Sequence, residues 1–522
     1  MATACYILFP HQLFDEDYIK QILEREENKS KYIIMWEHDY FFKRYAYHKL
    51  KLVFHRATMQ DYYDNYKKKY KLLYVSNSDK NHIKIINNFI KKNKINQVRF
   101  YDPIELELKE EINKCTIIKN KDIEHLIFDS PYFLNSSDQN KEIIQDMKTV
   151  RHDVFYKTQR IKNKIMITSN NQPEGKKWSF DTENRLTYPK DQKDIEVINY
   201  KSATRKKYIE DAITYVNKHF NKNYGKCEYD NFIYPLNRTE SLRWLEDFVD
   251  RKLGNFGKYE DALSSVVRFG YHSMLSCLTN VGLITPHDII EYVRDYKKNI
   301  ASKEGFIRQV IGWREYSYLI YDNYSDKLAS NLFYNMNKRD IPEKFWEGKT
   351  GIKIIDDIIA KVDDYAYSHH IERLMCVGNF LLLIGVKPSK IFEWFQMMYI
   401  DAYEVFMYPN VYGMLLYGFI DKEKHMMTRP YFCSSNYLKK MSDYKTYSIE
   451  INGKKYKWED IFDGLYYNLI DTYSDKFKKI YSTASAIARW NKFDKNTKTT
   501  HLDNANIYIK WLYSKNKIEN SI

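Results

Sequence analysis

The spacing of apolar residues changes once along this chain, and that change limits the fold more than any motif does. Up to about residue 130, short apolar runs alternate with helical patterns; from about residue 202 the helical pattern continues alone. A strand repeats every two residues and a helix every 3.6, so the two parts bury different kinds of surface. The first part predicts a Rossmann-like α/β domain with a parallel sheet, and the second an all-α domain.

The strand candidates are residues 3–9, 32–36, 52–54, 72–75 and 97–101, separated by helical patterns at 16–26, 59–70 and 81–92. Ligands of open parallel sheets sit beyond the carboxyl ends of the strands. That singles out Pro10-His11-Gln12-Leu13 and Trp36-Glu37-His38. There is no G-x-G-x-x-G, so a dinucleotide fingerprint is missing. Residues 131–201 carry little periodicity and many turn residues, which predicts a long surface connection, usually a functional one. Further helices are expected at 241–253, 264–278, 287–296, 304–321, 352–366, 368–384 and 389–407. Gly385 reads as the end of one helix, Pro388 as a stop and Ser389 as the next N-cap. At 446–458, Tyr447, Ile449 and Ile451 alternate with polar residues ahead of Asn452-Gly453, a hairpin signal. The expected division is 1–130, an α/β domain; 131–201, a connection; and 202–522, a helical domain.

The chain has 522 residues, enough for two or three domains with a sizeable core. Its formal net charge of +14 suggests a polyanionic partner, most simply nucleic acid. An AT-rich coding sequence, enriching Lys, Asn, Ile and Tyr, would give a similar balance. The six cysteines are dispersed without a C-x-x-C, so neither a zinc site nor a disulfide framework is indicated. No apolar run reaches the ~18 residues a membrane span needs, and the N-terminus does not read as a signal peptide. The expectation is a soluble intracellular monomer, in cytoplasm or nucleus, with no membrane partner.

Ionisable residues gather at 305–420, beside the most apolar stretch, and predict a cofactor cavity, with a flavin as the cofactor. His369 and His370 are neighbours. On a helix they point about 100° apart, so one can face a cofactor and the other a substrate. Two satisfied histidines at a helix start fit the same spacing. A histidine is also the natural proton donor near neutral pH. Arg373, if buried, demands a carboxylate; Asp401 is the candidate, and a surface ion pair is the alternative. Ser273 and Ser276 can bind an anion or simply cap a helix. Trp313, near Gln309 and Arg314, can stack on a base or flavin ring, or pack in the core. Trp346, Trp394 and Phe395 lie in or near the same block, where a chain of Trp would conduct electrons to a flavin.

In order along the chain, these strings resemble the photolyase/cryptochrome superfamily, most closely its bacterial iron–sulfur branch of photolyase-related proteins. The anchors are Phe9-Pro10-His11-Gln12-Leu13, Lys177-Trp178-Ser179-Phe180-Asp181-Thr182-Glu183-Asn184-Arg185 and His272-Ser273-Met274-Leu275-Ser276. Gly312-Trp313-Arg314-Glu315-Tyr316, Tyr367-Ser368-His369-His370-Ile371-Glu372-Arg373-Leu374-Met375 and Asp401-Ala402-Tyr403-Glu404 complete the set. The resemblance covers nearly the whole chain. It implies an α/β antenna domain, a helical FAD domain and light-driven splitting of pyrimidine dimers in UV-damaged DNA, with (6-4) photoproducts favoured. A cryptochrome-like photoreceptor without repair is the alternative.

It also implies roles for residues. Ser273, Leu275 and Ser276 would bind the FAD phosphates; Gln309, Arg314, His369, Arg373, Asp401 and Asn410 would line the remainder. His370 matches the acid of (6-4) repair, with His369 beside it, and Tyr431 matches a lesion-pocket tyrosine. Trp313, Lys176 and Lys177 are the expected DNA contacts. Trp394 and Trp346 match a photoreduction path, where Phe395 replaces a tyrosine. Gln12 and Glu37 match the pocket of a ribityl-lumazine antenna, but Pro10-His11-Gln12 stands where the family has Gly-Asp-Gln. No resident metal is expected, although Asp181 is placed to sit near a divalent ion at the lesion. The branch has a C-x-x-C shortly after Met441-Ser442-Asp443-Tyr444, where this chain has Lys445-Thr446-Tyr447-Ser448, and an earlier cysteine near Ile354. A four-iron cluster needs four thiolates, so no iron–sulfur cluster is expected.

Overall fold

In a computed structural model that describes residues 3–23, 31–115, 117, 122–183 and 185–514, the first region is an open parallel sheet. Its strands are β1 (Ala4–Leu8), β2 (Tyr32–Trp36), β3 (Lys71–Val75), β4 (Gln97–Tyr101) and β5 (Glu124–Phe128). They lie in the order β3-β2-β1-β4-β5, every pair parallel. β1 and β4 are buried along their whole length, because helices cover both faces of such a sheet. The strand order reverses between β1 and β4, which opens a crevice at their carboxyl ends.

Residues 52–54 are not a strand; they belong to the helix Lys49–Tyr66. A short apolar run has no period of its own, and here Leu50 to Phe54 is buried on a helix that meets its surroundings on most sides. The edge strand β5 escaped notice because its residues are half-exposed and polar at the start. Of the first helical pattern, Glu16–Leu23 is helical, and residues 24–26 lie outside the described chain, as does Asn184. The connection is partly helical: Ser137–Asp146 opens on a capping box from Ser136 and Gln139, and His152–Lys162 follows.

From Ala203 onward the described elements are helical apart from one hairpin. Two expected helices are interrupted. Over 264–278 only Ser276–Thr279 is helical, because Gly270 (φ 53°) and Met274 (φ 54°) turn the chain the other way. The 389–407 pattern splits into Pro388–Met398 and Glu404–Met407, with Tyr399 extended between them and the Ile400 N–H donating to the Ala366 carbonyl. Pro388 opens its helix as the first residue, after Lys387 as N-cap, rather than stopping one. Gly385 ends its helix at φ 79°, as expected.

The hairpin is β6 (Ser448–Ile451) and β7 (Lys454–Lys457). Asn452 and Gly453 both have positive φ, 51° and 77°, as a type I′ turn requires. Four stretches, Phe248–Lys252, Arg308–Arg314, Glu372–Gly378 and Tyr408–Leu415, widen into π-helix. Such turns are rare and tend to occur at functional sites.

Candidate functional site

Asp401 lies in the break between those two helices and gathers three elements. It accepts from Arg373 Nη1 at 2.9 Å and Nη2 at 3.1 Å, and from Ser276 Oγ at 2.6 Å. Its carbonyl accepts from Asn280 Nδ2 at 2.8 Å. Arg373 Nε donates to the Ser368 carbonyl, and its guanidinium lies 4.0 Å from the centre of the Tyr399 ring. Burial alone would lower the Arg373 pKa; the two-pronged pairing with Asp401 outweighs it and raises it. The predicted partner is therefore the observed one, and the pair is buried rather than on the surface.

The two adjacent histidines have opposite surroundings. His369 is buried and stacks on His272, with ring centres 4.4 Å apart and planes 9° apart. Burial drives the pKa of both rings well below the usual histidine value, so both are neutral at pH 7. The His369 N–H is held by Glu372 Oε2 at 3.1 Å. The His370 side chain is 49% exposed, with Nε2 3.4 Å from Asp261. What burial it has would lower its pKa, but the Asp261 hydrogen bond and charge prevail and raise it. The ligand atoms of His272, His369 and His370 lie within 4.8 Å of one another. However, lone pairs lie in ring planes, so the stacked pair presents faces rather than converging nitrogens, and we do not read a metal centre here.

The π-helical turns carry four of the predicted flavin residues. Gln309 Nε2 donates to buried Glu260 at 2.6 Å. Burial pushes the Glu260 pKa up to about 7 against the opposing charge of Arg308. Arg314 lies between the rings of Tyr132, Phe133 and Phe406, each 4.8–4.9 Å away, and donates to Asn280 and the Tyr132 carbonyl. Arg373 is described above. Asn410 Nδ2 turns back to the Phe406 carbonyl of its own helix. Arg314 Nε, His272 Nε2 and His369 Nδ1 are buried without a protein partner. Buried polar atoms left unpaired are costly and ask for an explanation, such as a missing ligand.

The other predicted residues are more dispersed. Ser273 Oγ accepts from the Leu275 N–H at 3.4 Å, and its carbonyl from Trp244. One face of Trp313 is covered by His152, 3.7 Å away and nearly parallel, so only the other remains for a base. Tyr431 carries the Arg429 guanidinium 5.2 Å from its ring centre. Lys176 and Lys177 are exposed. Asp181 accepts from Arg185 and Arg308, which together hold its pKa down against burial. Both oxygens thus accept from arginines.

The crevice between β1 and β4 is closed by the chain itself. His11 Nε2 contacts the Pro103 carbonyl at 2.8 Å, and Gln12 Nε2 donates to Tyr101 and Asp102. The His11 ring packs 4.7 Å from Phe41 and 6.1 Å from Tyr403. Glu37 is fully buried, accepting from Arg56, Tyr74, Ser76 and the Asn77 N–H.

Trp394 is buried and Trp346 half-buried. Both line a small cavity of about 20 Å³ with Phe345 and Tyr224. Trp394 also meets Tyr399, 5.6 Å away, which lies against Arg373. Sequence reasoning missed Tyr399, Glu260, Asp261, Asn280 and Arg308. Glu260-Asp261 is an adjacent acidic pair that could have been sought once two histidines needed a counter-charge. Nothing local distinguishes the others.

Residues 6–232 match the family described as deoxyribodipyrimidine photo-lyase-related protein. A (6-4) photolyase of Agrobacterium fabrum is 33% identical over 376 residues, covering 70% of this chain and 71% of that protein. A bacterial class III photolyase from Agrobacterium tumefaciens superposes with a TM-score of 0.56 at 15% identity, over 83% of this chain and 82% of that one. A Synechocystis cryptochrome superposes with 0.53 at 15% identity, over 78% and 80%. The two superpositions bear on the fold alone.

Proposed function

This chain belongs to the photolyase/cryptochrome superfamily, in the bacterial iron–sulfur branch, and on that premise we propose that it is a light-driven DNA repair flavoprotein acting on pyrimidine dimers, (6-4) photoproducts foremost. FAD suits the helical site. The unpaired buried nitrogens of Arg314, His272 and His369 offer partners to a ring system rich in acceptors. Ser273, Leu275, Ser276, Gln309, Arg314, His369, Arg373, Asp401 and Asn410 would hold it. Bound and reduced, FAD supplies on illumination the single electron that opens a pyrimidine dimer.

The chain's own residues supply position and protons. The Arg373–Asp401 pair fixes the break at 399–403 and keeps its charge balanced in a buried setting. Neutral His272 and His369 leave the inner wall uncharged. His370 at the opening is the proton donor: Asp261 beside its Nε2 raises its pKa, and Nδ1–H is left to donate to a lesion oxygen. A formal charge of +14, with exposed Lys176 and Lys177, suits phosphate contacts around the opening. The observation that carries the reading is the half-exposed His370 against Asp261, beside the buried stack of His272 and His369. Light-dependent repair of oligonucleotides bearing either lesion tests it. His370→Ala is expected to abolish (6-4) repair with FAD still bound; a flavin-loaded wild type that repairs neither lesion transfers the protein to the photoreceptor reading.

We propose no lumazine antenna, because Gln12 and Glu37 are committed to protein partners and rings surround His11. We also propose no iron–sulfur cluster. The hairpin occupies the Lys445–Ser448 neighbourhood and packs on 350–354. Tyr447 Oη accepts from the Lys353 N–H at 2.5 Å, and a Cβ on Gly351 would lie 2.9 Å from Ile449. Stoichiometric iron in freshly purified protein would refute this.

A further inference from the structure

The aromatic path from the helical site does not stop at Trp346. Tyr224 stacks on it, with ring centres 4.2 Å apart and planes 14° apart, the closest face-to-face contact on that route. Tyr224 is 42% exposed, whereas Trp394 is 1% exposed. The turn that carries Tyr224 is tied down on three sides. Asn223 Nδ2 donates to the Tyr47 carbonyl at 2.8 Å, the Lys49 N–H to the Tyr224 carbonyl at 2.9 Å, and the Lys226 N–H to the Asp363 carbonyl at 2.9 Å. Gly225 between them has φ 85°, and a Cβ there would run into the His48 ring. So the stack is a built contact, not a chance pose of a surface side chain.

We propose that Tyr224 is the terminal electron donor of this protein's photoreduction, a role that rests on the flavin reading above. Light-excited oxidised flavin takes an electron from Trp394, and Trp394 is refilled from Trp346. Tyr224 then gives one electron to the Trp346 radical cation. Its phenolic O–H bond breaks as it does so: the proton goes to water, and a neutral tyrosyl radical remains. A thiol reductant restores the phenol by giving one hydrogen atom and becoming a thiyl radical. Loss of the proton to solvent makes the return of the electron slow, which a half-buried indole cannot do as readily. Phe395 cannot be oxidised by a Trp radical, so the outward route through Trp346 has no rival at that position.

Time-resolved EPR after a light flash, with a pH-indicator dye, tests the proposal on the flavin-loaded protein. Wild type is expected to give a tyrosyl signal and to release one proton per electron moved. Tyr224→Phe, which keeps the ring and its stack, should lose both the tyrosyl signal and the proton, leaving a short-lived Trp signal. A tyrosyl signal undiminished in Tyr224→Phe, or photoreduction in wild type with no tyrosyl signal, overturns the assignment of Tyr224 while leaving the flavin reading intact. A protein that retains no flavin, or Trp394→Phe with unchanged photoreduction, overturns the path and Tyr224 with it.

Discussion

At the carboxyl ends of β1 and β4, Gln12 Nε2 donates to the Tyr101 and Asp102 carbonyls, and the His11 ring lies among Phe9, Phe41 and Tyr403. Around Asp401, by contrast, charged and polar groups from four separate segments converge, and Arg314 Nε is left with no acceptor. Unpaired atoms occur in both places, but of different kinds. At His11 and Gln12 they are His11 Nδ1, an acceptor if its Nε2 carries the proton toward Pro103, and Gln12 Oε1. An orphan lone pair is tolerated more readily than an orphan N–H. The contrast teaches that a place inherited from a family can be filled from within.

The comparison breaks first at Arg373. Arg373→Ala leaves Asp401 buried without its cation and should cost about 3–5 kcal/mol of stability, along with all retained flavin. Denaturant unfolding and the flavin-to-protein ratio read the two effects separately. Replacing both partners by apolar residues should recover most of the stability and none of the flavin. If Arg373→Ala keeps its flavin, the two places do not differ in the way described here.

His11→Asp probes the closed crevice. It puts back the family's carboxylate, but buried among the rings of Phe9, Phe41 and Tyr403, and should cost about 2–4 kcal/mol in a thermal or chemical melt. Stability unchanged and a lumazine taken up would show that the crevice only awaits its acid. The smallest effect concerns Asp261. Since Asp261 raises the His370 pKa, repair should fall as pH rises through that raised value. Asp261→Asn removes the support, so the fall should begin at lower pH. A pH profile unmoved by Asp261→Asn would remove His370 as the titrating acid.

Much of the fold was legible because period and turn chemistry are local. β1, β2, β3 and β4 announced themselves as apolar runs between helical patterns, and Asn452-Gly453 fixed a hairpin before any coordinates. What was not legible depends on the rest of the molecule. Residues 52–54 carry no period long enough to separate strand from buried helix. The break at 399–403 is held by the Ile400 bond to Ala366 and by the Arg373 salt bridge, partners far away in sequence. In the site, Arg373–Asp401 could be inferred because a buried guanidinium demands a carboxylate. Asp261 and Glu260 fall between the expected helices at 241–253 and 264–278; an acidic pair could be sought there, but its meeting with His370 and Gln309 depends on the path of a loop without periodicity. The π-helical turns leave no mark in the sequence at all.

The account stands on a helical site that holds a flavin light can reduce. The most direct measurement is the visible absorption spectrum of the purified protein, before and after blue illumination with a thiol. The account predicts one flavin per chain, whose oxidised band bleaches in wild type but persists in Trp394→Phe. A protein that binds no flavin when purified or reconstituted with FAD contradicts it.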